Sequence, residues 1–228
     1  MKALILFSGG LDSTTSLALA IDKYGIDNVV ALSMQYGQKH DKELIQSTKI
    51  CKYYGVKHLY LDLTKIFEYS DCSLLKKNDK EIPEGEYSEQ LENLNGSNLS
   101  TYVPFRNGLF LSSAASIALS LGCDVIYYGA HMDDAALDAY PDCSKEFTDA
   151  INEAIYLGSG KKVNVVGPFV NMRKSDIVKI GLDLKVPYEL TWSCYSGHDK
   201  ACGKCGTCID RKKAFLANGV KDPIEYEE

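Results

Sequence analysis

The chain has 228 residues, 45% hydrophobic and 25% charged, with a formal net charge of −6. That length is enough to bury a sizeable core, and the ordinary composition excludes a disordered or collagen-like chain. The acidic balance counts against a nucleic-acid partner, because phosphate contacts call for a basic footprint.

The first seven residues carry an apolar run too short for an export signal, and Gly9-Gly10 follows where a cleavage region would be. The apolar stretch 109–121 is broken by Ser112, Ser113, Ser116 and Ser120 and is too short to span a bilayer. No membrane partner is expected, and a cytoplasmic location is. In that setting eight cysteines point to metal binding rather than a disulfide frame.

In chain order, residues 3–7 form an unbroken apolar run that suits a central parallel strand covered on both faces. The chain then turns small and polar at Ser8-Gly9-Gly10, and Leu11, Leu17 and Leu19 follow at helical spacing. A strand, a glycine loop and a helix N-terminus make an anion site, since free N–H groups and the positive end of the helix dipole point the same way. Ser8, Ser13 and Thr14 add hydroxyls beside the glycines, and Asp12 suits holding the loop or a Mg²⁺. No GxxxxGK[ST] P-loop occurs anywhere; the near miss at Gly158-Ser159-Gly160-Lys161 has Ile155 and Lys162 at two required positions. Ser8-Gly9-Gly10-Leu11-Asp12-Ser13 instead resembles the PP-loop of ATP pyrophosphatases, which cut ATP to AMP and pyrophosphate.

Residues 28–34 predict a second strand whose polar end, residues 35–40, borders the same crevice, because open α/β sheets bind ligands beyond the carboxyl ends of their strands. A helix over 43–54 and a strand over 57–63 follow. Between 65 and 102 the pattern weakens, and 78–100 is polar and acidic with Pro83, Gly85 and Gly96 as breakers. That length of loop predicts a flap over the site or a disordered insert. A helix over 109–121, a strand over 124–129, a helix over 144–157, a strand over 163–166 and a helix over 174–184 complete an alternating pattern. The pattern implies a doubly wound, parallel five-stranded α/β sheet over residues 1–190. The clusters Lys161-Lys162, Arg173-Lys174 and Arg211-Lys212-Lys213 are too small for an RNA track and read as solvated faces or small phosphate clamps.

Residues 191–228 are a separate, small segment. Cys194, Cys202, Cys205 and Cys208 follow the spacing Cys-x7-Cys-x2-Cys-x2-Cys with glycines between. Four soft ligands in short knuckles suit one structural zinc ion; an iron–sulfur cluster is the competing reading. The four histidines form no metal pattern. His40 and His131, on crevice loops, are candidates for proton transfer, whereas His58 reads as a strand residue and His198 as a loop residue.

Five motifs occur in order: the PP-loop, Gln35-Tyr36-Gly37-Gln38-Lys39-His40, Pro104-Phe105-Arg106-Asn107, Tyr140-Pro141-Asp142-Cys143, and the cysteine run. Together they resemble the 7-cyano-7-deazaguanine synthase (preQ0 synthase, QueC) family. The resemblance implies an adenine nucleotide alpha-hydrolase type of fold and an ATP-dependent carbon–nitrogen ligase. Its partners would be ATP with Mg²⁺, 7-carboxy-7-deazaguanine and ammonia, and a structural zinc would sit on the four cysteines; a homodimer is compatible with it. Ser8, Gly9, Gly10, Leu11, Asp12, Ser13 and Thr14 would hold ATP, with Asp12, Arg106 and Lys174 as catalytic residues. A guanine edge presents an N–H and an amine that one carboxylate can accept together, which makes Asp142 the first candidate and Asp134 the second. Gln38 and Arg106 complete the substrate contacts, with Tyr140 or Phe105 as stacking rings. Phe105 stands where the family pattern has glycine, and the loop 129–143 is longer, with Asp133, Asp134 and Asp138. These departures leave open an enzyme that stops at the amide or uses another amine. A tRNA-modifying PP-loop enzyme is the further rival.

Overall fold

Odd and even residues of the first strand, β1 (Ala3–Leu6), face opposite sides of a sheet, and all four are buried. The computed structural model describes residues 1–39, 42–92, 99–135, 139–196 and 199–227. In it β1 pairs in parallel with β2 (Val29–Gln35) and β4 (Val125–Tyr127), while β3 (Lys57–Asp62) and β5 (Asn164–Val166) take the edges. The order β3-β2-β1-β4-β5 is the expected five-stranded parallel sheet. Ala3 and Ile5 join Val29, Ala31 and Val125 beneath α1 (Leu11–Tyr24) and α2 (Lys42–Tyr54). Leu4 and Leu6 join Val30, Leu32 and Ile126 against α4 (Arg106–Leu121) and α6 (Lys145–Gly158). The two-residue period of β1 thereby fills both layers, which is why its sequence is apolar throughout.

The stretch from 65 to 102 is not peripheral. Cys72, Leu74, Leu75, Leu99 and Val103 are buried in the α4 layer. Glu84 makes an antiparallel bridge with Cys205, and Gly85 N–H donates to the Lys204 carbonyl at 3.0 Å. The expected flap or insert therefore lies against the cysteine segment as far as a short helix, α3 (Tyr87–Glu92). Its residues 93–98, like His40, Asp138 and His198, fall outside the described residues.

Helix α4 begins three residues before its hydrophobic pattern does. The Asp142 carboxylate accepts from Asn107 N–H at 2.8 Å, so a negative group satisfies the first turn and complements the helix dipole. Phe105, just before it, has φ 53° and ψ 29°, the left-handed conformation that glycine adopts without strain. After α4 come the short α5 (Met132–Ala135), then α6 and α7 (Lys174–Asp183).

The C-terminal segment contains a helix that the hydrophobic pattern did not reveal, α8 (Gly206–Ala217). Its Ala214 and Phe215 share a core with Leu11 and Ala18 of α1 and Ile177 and Val178 of α7. Arg211 is not on a solvated face and clamps no phosphate. It is buried and bidentate to Asp222, at 2.7 and 3.0 Å, and also donates to Thr191 Oγ1 at 2.7 Å and the Tyr188 carbonyl at 3.1 Å. On the surface Lys213 pairs with Glu86, and Lys212 lies over the Tyr226 ring and donates to the Gly203 carbonyl at 3.4 Å. Among the described residues, no helix is long and apolar enough to cross a membrane.

Removing Arg211 leaves the Asp222 charge buried without its partner. Arg211→Ala is expected to cost about 3–5 kcal/mol in urea unfolding, and Arg211→Met combined with Asp222→Leu to recover most of it. An Arg211→Ala midpoint equal to wild type would refute the buried staple.

Candidate active site and metal centre

The chain leaves β1 at Phe7 and reaches α1 through Ser8, Gly9 and Gly10. Gly9 has φ 85°, and a Cβ built there would lie 2.7 Å from Ser47 N and 2.8 Å from the Glu43 carbonyl. Only glycine lets the loop pass this close to α2. No side chain caps α1, whose N-cap is Gly10, so the first-turn N–H groups remain available to a ligand. Ser8 Oγ lies 3.0 Å from Ser13 Oγ and accepts from Gly10 N–H at 3.2 Å. Thr14 Oγ1 turns inward, donating to the Gly10 carbonyl at 2.7 Å.

These residues form one wall of a cavity at the carboxyl ends of β1, β2 and β4, where the winding reverses. Ser8, Gly10, Asp12 and Ser13 line it directly; Gly9, Leu11 and Thr14 support the loop from outside the lining. The facing walls bring Gln38 and Glu43 from β2 and α2, Arg106 and Asn107 from α4, and Asp134 and Lys174 from α5 and α7. Gln38 is fixed by accepting from Tyr36 N–H at 2.9 Å. Arg106 Nη1 donates to the Tyr36 hydroxyl at 3.3 Å.

Lys174 is buried, with Nζ 3.8 Å from Asp12 Oδ2. Burial alone would lower its ammonium, but Asp12, Asp134, Asp210 and Asp133 outweigh burial and hold it above the usual lysine range. The result is a buried cation facing the PP-loop. His131 is wholly buried, its Nε2 3.3 Å from Asp134 Oδ2 and 3.8 Å from Asp12 Oδ2, and lies outside the lining. Asp142, Tyr140 and Phe105 also lie outside it. Asp142 is taken up by Asn107, Tyr140 bonds Thr101 Oγ1 through its hydroxyl at 2.7 Å, and the Phe105 ring packs edge-on against Phe147.

The cysteine segment supplies the last wall. Ser193, Tyr195 and Thr207 line the cavity, and Trp192 N–H donates to the Gly9 carbonyl at 3.0 Å. Behind them the ligand atoms of Cys194, Cys202, Cys205 and Cys208 all lie within 4.8 Å of one another. A tetrahedral ion with metal–sulfur bonds of about 2.3 Å needs edges of about 3.8 Å; Cys202 and Cys208 sulfurs are 4.0 Å apart. Backbone N–H groups of Cys202 and Cys205 point at Sγ of Cys194 and Cys202, at 3.3 and 3.4 Å, as suits thiolates. The cluster has the dimensions of a metal site.

Residues 2–219 match the model of a family described as "Queuosine biosynthesis protein QueC". The chain belongs to the QueC family. It is 45% identical to the 7-cyano-7-deazaguanine synthase of Archaeoglobus fulgidus, covering all of this chain and 91% of that protein. With the synthase of Pseudoalteromonas atlantica the identity is 44% over 99% of both chains. The NH3-dependent NAD synthetase of Campylobacter jejuni shares the fold alone, with TM-score 0.52 and 14% identity over 83% of this chain and 66% of that one.

In this QueC-family chain the residues that motif reading missed are Glu43, Asn107, Ser193 and Tyr195. Asn107 closes the Pro104–Asn107 motif without having been given a role of its own, and Ser193 and Tyr195 flank Cys194, so adjacency was their signal. Glu43 carried none, because it reads as one more polar residue in an amphipathic helix.

Two outcomes check this geometry. Gly9→Ala should push α2 off the loop, costing about 2 kcal/mol, which lowers Tm by roughly 4–8 °C; an unchanged Tm would mean the close approach is wrong. Purified protein should carry one metal ion per chain, and chelation should expose the amides at Gly85 and Cys205 to hydrogen exchange. Metal-free protein with unchanged protection there would remove the cluster's supporting role.

Proposed function

We propose that the protein is a 7-cyano-7-deazaguanine synthase, joining ammonia to 7-carboxy-7-deazaguanine at the expense of ATP. The observation that carries this reading is the cavity itself, where an open helix N-terminus faces two cations, the buried Lys174 and the half-buried Arg106. A carboxylate is a poor electrophile, so one of its oxygens must become a leaving group. Attack of that oxygen on the α-phosphate gives an acyl-adenylate and pyrophosphate, and ammonia then displaces AMP to leave an amide. A second adenylation, on the amide oxygen, permits elimination of AMP to the nitrile. Such chemistry asks mainly for positioning and charge stabilisation.

The phosphates take the first-turn N–H groups of α1 together with Ser8 and Ser13, Mg²⁺ accompanies ATP near Asp12, and Lys174 neutralises the phosphate charge that develops. Arg106 pairs with the substrate carboxylate, for which its planar guanidinium is suited. Asp134, whose carboxylate lines the cavity, takes the guanine-like edge, with Gln38 as a second polar contact and Tyr195 as an aromatic wall. Asp142 acts from behind by fixing Asn107 and the start of α4. The four cysteines hold zinc: the sulfur spacing fits one tetrahedral ion, whereas an iron–sulfur cluster spreads its thiolates over several irons. The protein acts in the cytoplasm without a nucleic-acid partner.

Incubation with ATP, Mg²⁺, ammonium and 7-carboxy-7-deazaguanine should give the nitrile with two AMP per product by mass spectrometry. Lys174→Met should lower kcat by about 10²–10³. Amide as the only product, or ADP in place of AMP, would overturn the assignment.

A further inference from the structure

We propose that Glu43 is the general base that accepts the nitrogen-bound protons released in this reaction. The inference rests on the synthase reading above and adds the proton acceptor that reading lacks.

Both carbon–nitrogen steps release a proton. In the first, the ammonia nitrogen bonds to the acyl carbon, the bond from carbon to the AMP oxygen breaks, and its electron pair leaves with AMP. The nitrogen then carries one proton too many. In the second, the amide adenylated on oxygen carries two protons on a positive nitrogen; one leaves to give the neutral imidate, and the electron pair of the remaining N–H bond forms the third carbon–nitrogen bond as that proton and AMP depart. With the substrate acid paired to Arg106, an acceptor on the Arg106 side of the cavity lies close to the nitrogen that gives up these protons, and Glu43 lines the cavity there.

The other carboxylates near the cavity have charged neighbours or other roles, Asp134 being assigned the guanine-like edge. Asp12 faces Lys174 and His131, Asp134 faces His131, and Asp142 is taken by Asn107 N–H. Glu43 lines the cavity, and its side chain makes no hydrogen bond among the described residues. Its position is fixed independently by its backbone, since the Glu43 carbonyl packs against Gly9. Among the described residues, the charged and titratable neighbours are Arg106 from α4, Tyr36 just beyond β2 and Lys42 from its own helix, and the loop after β1 contributes neutral Ser8 to the same wall. The Lys42 ammonium is turned away, 3.6 Å from the centre of the Trp192 ring and donating to the Asp199 carbonyl.

Burial pushes the Glu43 carboxyl up to about 7, and Arg106 pulls it back only in part. A carboxylate so placed is a far better proton acceptor at neutral pH than an exposed glutamate, and it can pass the proton to solvent between steps. The sign is that of a base: activity rises as pH passes upward through about 7 and the carboxyl ionises.

The test compares wild type, Glu43→Gln and Glu43→Asp, each checked for wild-type melting. Substrate-dependent ATP–pyrophosphate exchange without ammonium reports adenylation, and nitrile formation at saturating ammonia reports the proton-releasing steps. The ratio of nitrile formation to exchange should fall by about 10²–10⁴ in Glu43→Gln, with the limb near pH 7 lost. Glu43→Asp should keep the limb and part of the rate. An unchanged ratio in Glu43→Gln, a retained limb, or exchange falling as steeply as nitrile formation would overturn the role. Failure of wild type itself to form nitrile would refute the synthase reading instead.

Discussion

The site depends on a contact in which no side chain takes part. Gly9 runs so close to the first turn of α2 that a methyl group would meet the backbone at Ser47 and Glu43. From the other side, Trp192 N–H holds the Gly9 carbonyl. With α2 and the cysteine segment both seated on one glycine, the loop has little freedom, and the amides of α1 are presented to the cavity in a fixed array. Pre-organised dipoles of this kind do not have to reorient when charge moves in the transition state, which is where electrostatic stabilisation is most effective.

The same contact explains why a metal-binding tail belongs to this fold. Cys194 is two residues beyond Trp192, and Ser193 and Tyr195 on either side of it line the cavity. A tetrahedral ion on the four sulfurs fixes that strand of chain more firmly than hydrogen bonds alone. Arg211 acts on the same segment from beneath, tying Thr191 and the Tyr188 carbonyl to Asp222. The four sulfurs lie behind the cavity wall, so an ion held there would act on the cavity through Trp192 and Tyr195.

Much of this was legible in the amino-acid sequence because each feature is local. The five strands follow from short apolar runs, the anion site from Ser8 to Ser13, and the metal cluster from cysteine spacing. What was not legible depends on contacts between distant segments. Asp142 is motif-borne and polar, yet it serves as a helix cap because Asn107, 35 residues earlier, brings a free N–H to it. Arg211 reads as surface charge until Asp222 folds back over it. Phe105 reads as a stacking ring, but its left-handed backbone turns it out onto Phe147. Lys174 had the opposite fate: in a basic pair that read as a solvated face or a phosphate clamp, it is the buried member, its side chain beside Asp12 and its backbone N–H donating to Asp133.

Two opposite charges on the wall of one cavity, Arg106 and Glu43, raise a physical objection to the proposed base, since an ion pair between them would neutralise both. No ion pair shorter than 4.0 Å joins them among the described residues, and Arg106 instead donates to the Tyr36 hydroxyl. Holding the two apart leaves the guanidinium free to meet an incoming carboxylate. It also leaves Glu43 under-compensated, which is the reason burial dominates its ionisation. In the proposed reaction, adenylation of the substrate carboxylate moves its negative charge to the phosphate and would make the field at Glu43 more positive. That change favours the ionised form of Glu43 at the stage when a nitrogen-bound proton must leave, so the charge arrangement that binds the acid also prepares its base.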